Sequence, residues 1–279
     1  MLVLLGPSFA GGDADYQRLS KATGLVAYDL RARLKPGMWG LVKALADEAE
    51  AGRLSGALLA EGFPIVVVPR EVATDPARPI VALKALAIEG QELTLQLRER
   101  AMTVPAAALC SIVRGEAQVG KASQARAAAG GAGTSSSTFR AVVPSASDLQ
   151  VFRESMPPAS FEAFAAADLH FHSVNWVARI DARSFDFRAL GIAAASPAGA
   201  LDTLVDRLGL LARVRVDRAA RASSVSSFTQ QAARAAAHSG PQSGRGREIA
   251  GDERFDPYSR VVGEAERLLA AQIAAQPRA

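Results

Sequence analysis

The stretch Val26-Ala-Tyr-Asp-Leu-Arg-Ala-Arg-Leu34 decides how the N-terminal region reads. Val26, Tyr28, Leu30, Ala32 and Leu34 alternate with Asp29, Arg31 and Arg33, and a period of two predicts a half-exposed strand. On its N-terminal side, Leu2–Leu5 reads as a short buried strand ended by Gly6-Pro7. Asp13 or Asp15 then caps a helix carrying Tyr16, Leu19 and Ala22 and stopped at Gly24. On the other side, Lys35-Pro-Gly37 leads into a helical region centred on Ala44–Glu61, with Gly62 as its C′ residue, and then an apolar strand over Phe63–Val68. The order strand, helix, strand, helix, strand predicts an α+β domain of the ferredoxin-like kind, with helices covering one face of a sheet. Ile80–Ile88, the turn Glu89-Gly90-Gln91-Glu92, Leu93–Leu97 and Leu109–Val113 add a β-hairpin extension.

Two low-complexity stretches divide the rest. Residues 119–138 are rich in Gly, Ala and Ser, and residues 219–251 in Arg, Ser and Gly; neither composition can bury a core. They leave an N-terminal domain at 1–118, a smaller second α+β domain at 139–218 and a C-terminal segment at 252–279. In the second domain the pattern predicts a helix from Ser147-Asp148 through Arg153, another over Phe161–Ala167, and a strand region over Leu169–Ile180. A helix opened by Ser196-Pro197 and a closing strand over Ala212–Asp217 complete it. In the C-terminal segment, Pro257 opens an amphipathic helix with Val261, Val262, Ala265, Leu268, Leu269 and Ile273 along one stripe.

Composition narrows the function classes. The chain of 279 residues is 49% hydrophobic and 22% charged, which suits a packed core rather than disorder. Cys110 is the one cysteine, so no internal disulfide and no multi-thiolate zinc site can form; its apolar surroundings predict an inert buried thiol. No stretch is long and apolar enough to span a bilayer, and Met1-Leu-Val-Leu-Leu-Gly6 lacks a basic leader, so a cytoplasmic location is expected. The net charge of +4 resides in 218–251, where five arginines face a single acidic residue. Arg218, Arg221, Arg234, Arg245 and Arg247 are therefore the candidate phosphate contacts of a nucleic-acid-binding alternative; no paired aromatic platform accompanies them.

The most enzyme-like string is Asp168-Leu-His170-Phe-His172-Ser173. On a strand His170 and His172 share a face and could grip one metal ion, with Asp168 or Asp181 beside them. The string resembles the opening motif of the polymerase-and-histidinol-phosphatase metallohydrolases. The resemblance implies a metal-dependent hydrolase with His170 and His172 as ligands. Those enzymes draw further His, Asp and Glu ligands from downstream, and here His238 is the one histidine that follows.

Other catalytic signatures fall short. Gly115-Glu-Ala-Gln-Val-Gly120-Lys121-Ala122 approaches a phosphate-binding loop, but Ala122 stands where a magnesium-ligating hydroxyl is needed. Gly52-Arg-Leu-Ser55-Gly56 lies within a helical pattern and makes no nucleophile elbow. The expectation is a non-catalytic adaptor or regulatory protein that needs no cofactor and binds a protein partner. Its surfaces would be Met38 and Trp39, in the loop Pro36-Gly-Met-Trp-Gly40, and Val262 and Leu269 on the C-terminal helix.

Overall fold

In the computed structural model, which describes residues 1–120, 161–218 and 255–275, the decisive stretch is a helix, not a strand. Helices α1 (Asp13–Thr23) and α2 (Ala27–Arg33) follow strand β1 (Leu2–Leu5). Beneath the two-residue alternation runs a second spacing: Ala27, Leu30 and Leu34 stand three and four apart and meet the core, while Tyr28 stays 78% exposed. Leu, Arg and Ala tolerate a helix better than the β-branched residues a strand prefers, and the core selects the helical face.

The strand missing from 26–34 appears instead at β2 (Gly40–Ala44), within the region expected to be helical. Its first residue must be small, because a β-carbon on Gly40 would lie 2.5 Å from Leu34 Cδ2. Helix α3 (Glu48–Ala60), capped by Asp47 on the Ala49 N–H, leads to β3 (Ile65–Val68). β1 lies between β2 and β3, antiparallel to both, so β2-α3-β3 is a split unit around the first strand. Among the described residues the sheet has three strands, where the ferredoxin-like plan has four. Val3, Leu5, Val42 and Ile65 pack against the three helices, and Leu2, Leu4, Leu41, Val66 and Val68 face the other way.

A second, five-stranded sheet has the order β11-β8-β9-β10-β4. Its members are β4 (Ile80–Leu83), β8 (Leu109–Gly120), β9 (Phe161–Phe171), β10 (Val177–Asp181) and β11 (Val216–Asp217). The boundary expected between 118 and 139 is crossed by this sheet, because β8 pairs with β9 from Leu109↔Phe171 to Gly120↔Phe161. The helix expected over Phe161–Ala167 is part of β9, whose Ala165 and Ala167 meet one apolar cluster and whose Ala166 meets the other. Gly115–Gly120 is extended strand rather than a phosphate-cradling loop. Between β4 and β8, the hairpin expected around Glu89–Glu92 is present, and β5 (Ala85–Glu89), β6 (Glu92–Gln96) and β7 (Ala101–Pro105) form a third sheet. Helix α4 (Pro197–Ala212), capped by Ser196 on the Gly199 N–H, packs with that sheet on one face of the five-stranded sheet. Buried Arg114 in β8 reaches Asp202 of α4, Nε to Oδ1 3.0 Å. The helix expected from Ser147 to Arg153 lies outside the described residues.

The last helix, α5 (Phe255–Ala275), fills the space between the first and second sheets. Phe255, Tyr258, Val261, Val262 and Ala265 join Leu2, Leu4, Val66 and Val68 on one side and Val113, Ala117, Phe164 and Ala166 on the other. The segment expected as an appended helix is thus central to the core. Among the described residues, no helix is long and apolar enough to cross a membrane.

Candidate functional site

The alternation of β9 sends Ala167, Leu169 and Phe171 toward α4 and presents Phe164, Ala166, Asp168 and His170 to α5. Asp168 and His170 are both 0% exposed. Arg179 lies directly opposite Asp168 on β10 and grips it with two bonds, Nε–Oδ1 2.7 Å and Nη2–Oδ2 2.8 Å. The same guanidinium reaches Asp256 of α5 at 2.7 Å and lies 4.9 Å over the Phe255 ring. Burial pushes the Asp168 carboxyl upward, but the charge and hydrogen bonds of Arg179 outweigh it and hold the carboxyl below its ordinary value.

His170 Nε2 lies 3.0 Å from Ser259 Oγ on α5. The Ser259 hydroxyl also helps to lower the Asp168 carboxyl, and the direction of the His170–Ser259 bond follows the imidazole tautomer. His170 Nδ1 has no hydrogen-bond partner among the described residues. Burial, reinforced by the charges of Arg78, Arg179 and Arg260 against that of Asp168, drops the imidazole to about 3. The ring is therefore neutral at neutral pH.

Ser259, His170 and Asp168 are the residue types of a nucleophilic triad in a geometry that cannot run one. In a working triad the acid holds the histidine through Nδ1, whereas Asp168 is spent on Arg179. The serine and the histidine are both 0% exposed, and an imidazole near 3 is a weak base. The pair His170 and His172 also separates. β9 ends at Phe171, the His172 N–H turns to Ala108 O (2.8 Å), and its side chain is exposed. Among the described residues, no group of three His, Cys, Asp or Glu side chains converges as a metal site. Asp181 pairs instead with Arg183 at 2.7 Å. The Cys110 thiol is half-buried, and burial pushes it up to about 11, well away from nucleophilic use.

The four residues expected to bind a partner gather in one place. Trp39 is 4% exposed and donates through Nε1 to Glu266 Oε1 on α5 (2.8 Å), which also takes Arg215 Nη1 at 3.2 Å. Val262 is fully buried in the same cluster, and Met38 and Leu269 pack at its edge, partly exposed. Burial raises the Glu266 carboxyl despite these two donors. Further along the helix, Tyr258 OH donates to Asp217 Oδ1 (3.1 Å), and Arg78 reaches Glu264 Oε2 at 3.1 Å. Of the five candidate nucleic-acid arginines, Arg218 is engaged by Asp206 and stands 3.6 Å from Asp202. Arg221, Arg234, Arg245 and Arg247 lie outside the described residues.

The polar ladder along α5 is not paired by any local pattern in the sequence, because its partners Trp39, Arg78, His170, Arg179 and Asp217 lie at distant positions in the chain. One signal was available: Gly263 sits inside the apolar stripe, and a glycine within a helix marks a close approach. Comparison with protein-family models, with curated proteins and with solved structures finds no match to the chain.

Proposed function

We propose that the chain is a non-catalytic adaptor or regulatory protein, cytoplasmic, that works through protein–protein contacts at the edge of the α5 junction. The observation that carries this reading is the two-part character of α5. Its first half is anchored inside the molecule, and residues 270–275 continue the helix into solvent, with Ile273 62% exposed. Leu269 and Ile273 are four apart and share a helical face, so the helix presents an apolar stripe beyond the core; Met38 shares the cluster edge with Leu269. The groups that could do chemistry, Asp168, His170 and Ser259, are spent on holding the helix.

The test is retention of partners from a nuclease-treated native lysate on the purified full chain. A protein retained by the parent and by Leu210→Glu, which alters another exposed leucine, but lost with Leu269→Glu plus Ile273→Glu, supports the reading. An identical retained set for all three proteins, or recovery dominated by nucleic acid, overturns it.

A further inference from the structure

Among the described residues, strand β4 closes one edge of the five-stranded sheet and has β10 as its one strand neighbour. The Val177 N–H bonds Pro79 O at 2.9 Å with Val177 opposite Ile80, and this fixes the parallel ladder to the odd-numbered positions of β4. The amides and carbonyls of Ile80 and Ala82 consequently face outward, and Ala82 is exposed. Beside this open edge lies a groove of about 410 Å³, floored by Pro79, Val81 and Trp176 and bounded by the turn Leu97–Arg100 between β6 and β7. Trp176 is held by Phe171, ring centroids 6.3 Å apart, so its apolar face is pre-positioned. Arg98 and Arg100 stand on the rim with no ion pair to any described residue; Glu99 between them leaves the rim net cationic.

We propose that this edge binds an extended acidic peptide segment of a partner protein by strand addition. The outward groups of Ile80 and Ala82 supply the main-chain bonds. A peptide side chain at every second position drops into the Val81–Trp176 groove, and an acidic residue meets Arg98 and Arg100. The strand is four residues long and flanked by Pro79 and the exposed Lys84, features that discourage indiscriminate edge pairing. The cationic Lys84, Arg98 and Arg100 make it selective for an acidic occupant. The site is separate from the α5 junction, so the two readings fail independently.

The experiment pans a phage-displayed random dodecapeptide library on the full chain and measures the enriched peptides by fluorescence anisotropy. Enriched sequences should be acidic, alternate apolar and polar residues, and lack internal proline. Arg98→Glu with Arg100→Glu should weaken them about tenfold or more. Ala82→Pro should do the same, because it removes an outward N–H at a position where an edge strand tolerates proline. Both substitutions lie at the surface, and circular dichroism checks that the fold is kept. The idea is overturned if no peptide is enriched, or if binding survives either variant. Tighter binding of a single-stranded oligonucleotide at the same arginines would make this a phosphate surface and overturn it too.

Discussion

Gly263 brings the backbone of α5 against the His170 ring so closely that a β-carbon at Gly263 would stand 2.2 Å from His170 Nδ1. In an exposed helix, glycine to alanine stabilises by about 1 kcal/mol. Here the methyl collides with a fully buried ring that is bonded to Ser259. Gly263→Ala should therefore destabilise the protein by about 1–3 kcal/mol, the usual cost of overpacking. Chemical denaturation reads this directly. Removing the ring as well, with His170→Ala, should make the pair clearly less than additive; a stabilised Gly263→Ala single variant would contradict the close contact.

Acid should loosen the same junction. His170 titrates near 3 in the fold and near 6.5 in an unfolded chain, so between these values the unfolded state binds the extra proton. Stability is then fully present above about pH 6.5 and falls as the pH drops toward 3, at up to about 1.4 kcal/mol per pH unit. Asp168, depressed by Arg179, adds its own loss only below the ordinary carboxylate range near 4. Denaturation midpoints measured from pH 7 to pH 5 cover the window in which the histidine of the unfolded chain takes up its proton. His170→Asn should flatten the slope in that window, and an unchanged slope would place the titrating group elsewhere.

How much of this was legible beforehand depended on whether one face or two were buried. The hairpin at Glu89–Glu92 and the Ser196-Pro197 helix start carry local turn and cap chemistry, and both are where their residues put them. Val26–Leu34 carries two periods at once, and the choice between them rests on Leu30 and Leu34 meeting α1 and the first sheet, which is tertiary information. β9 carries the opposite difficulty: Phe164 and Ala166 meet one cluster and Ala165 and Ala167 another, so Phe164–Ala167 shows no apolar–polar period. Two of the residues expected at a partner surface lie instead inside the chain's own core. Trp39 and Val262 engage their own chain, across a sequence separation that no local pattern encodes.

Arg179 is the hinge of the buried charge cluster, since it answers both Asp168 and Asp256. Arg179→Met should cost about 3–5 kcal/mol, because it strands a fully buried carboxylate beside a second acid. Asp168→Leu in the same protein should recover a large part of that loss, since an apolar pair of similar volume needs no partner. A thermal or urea series on the four proteins of this cycle measures the coupling. Simple additivity would mean that the bidentate geometry contributes little.

Trp39 and Glu266 test whether α5 is held at its solvent end as firmly as at its buried end. Trp39→Phe keeps most of the ring's packing and removes the Nε1–H that donates to Glu266 Oε1 at 2.8 Å. Arg215, at 3.2 Å, still answers the same oxygen, so the loss should be about 1–2 kcal/mol rather than that of a stranded charge. Glu266→Gln removes the buried charge that burial already penalises, while a neutral amide can still accept from the indole, so it should be nearly neutral in stability. Amide exchange over 264–275 gives the local view. Trp39→Phe should speed exchange there more than over 255–262, where Arg179, Ser259 and Tyr258 keep the helix in place. Equal acceleration along the whole helix would mean that α5 opens as one unit, and that Trp39 helps to hold all of it.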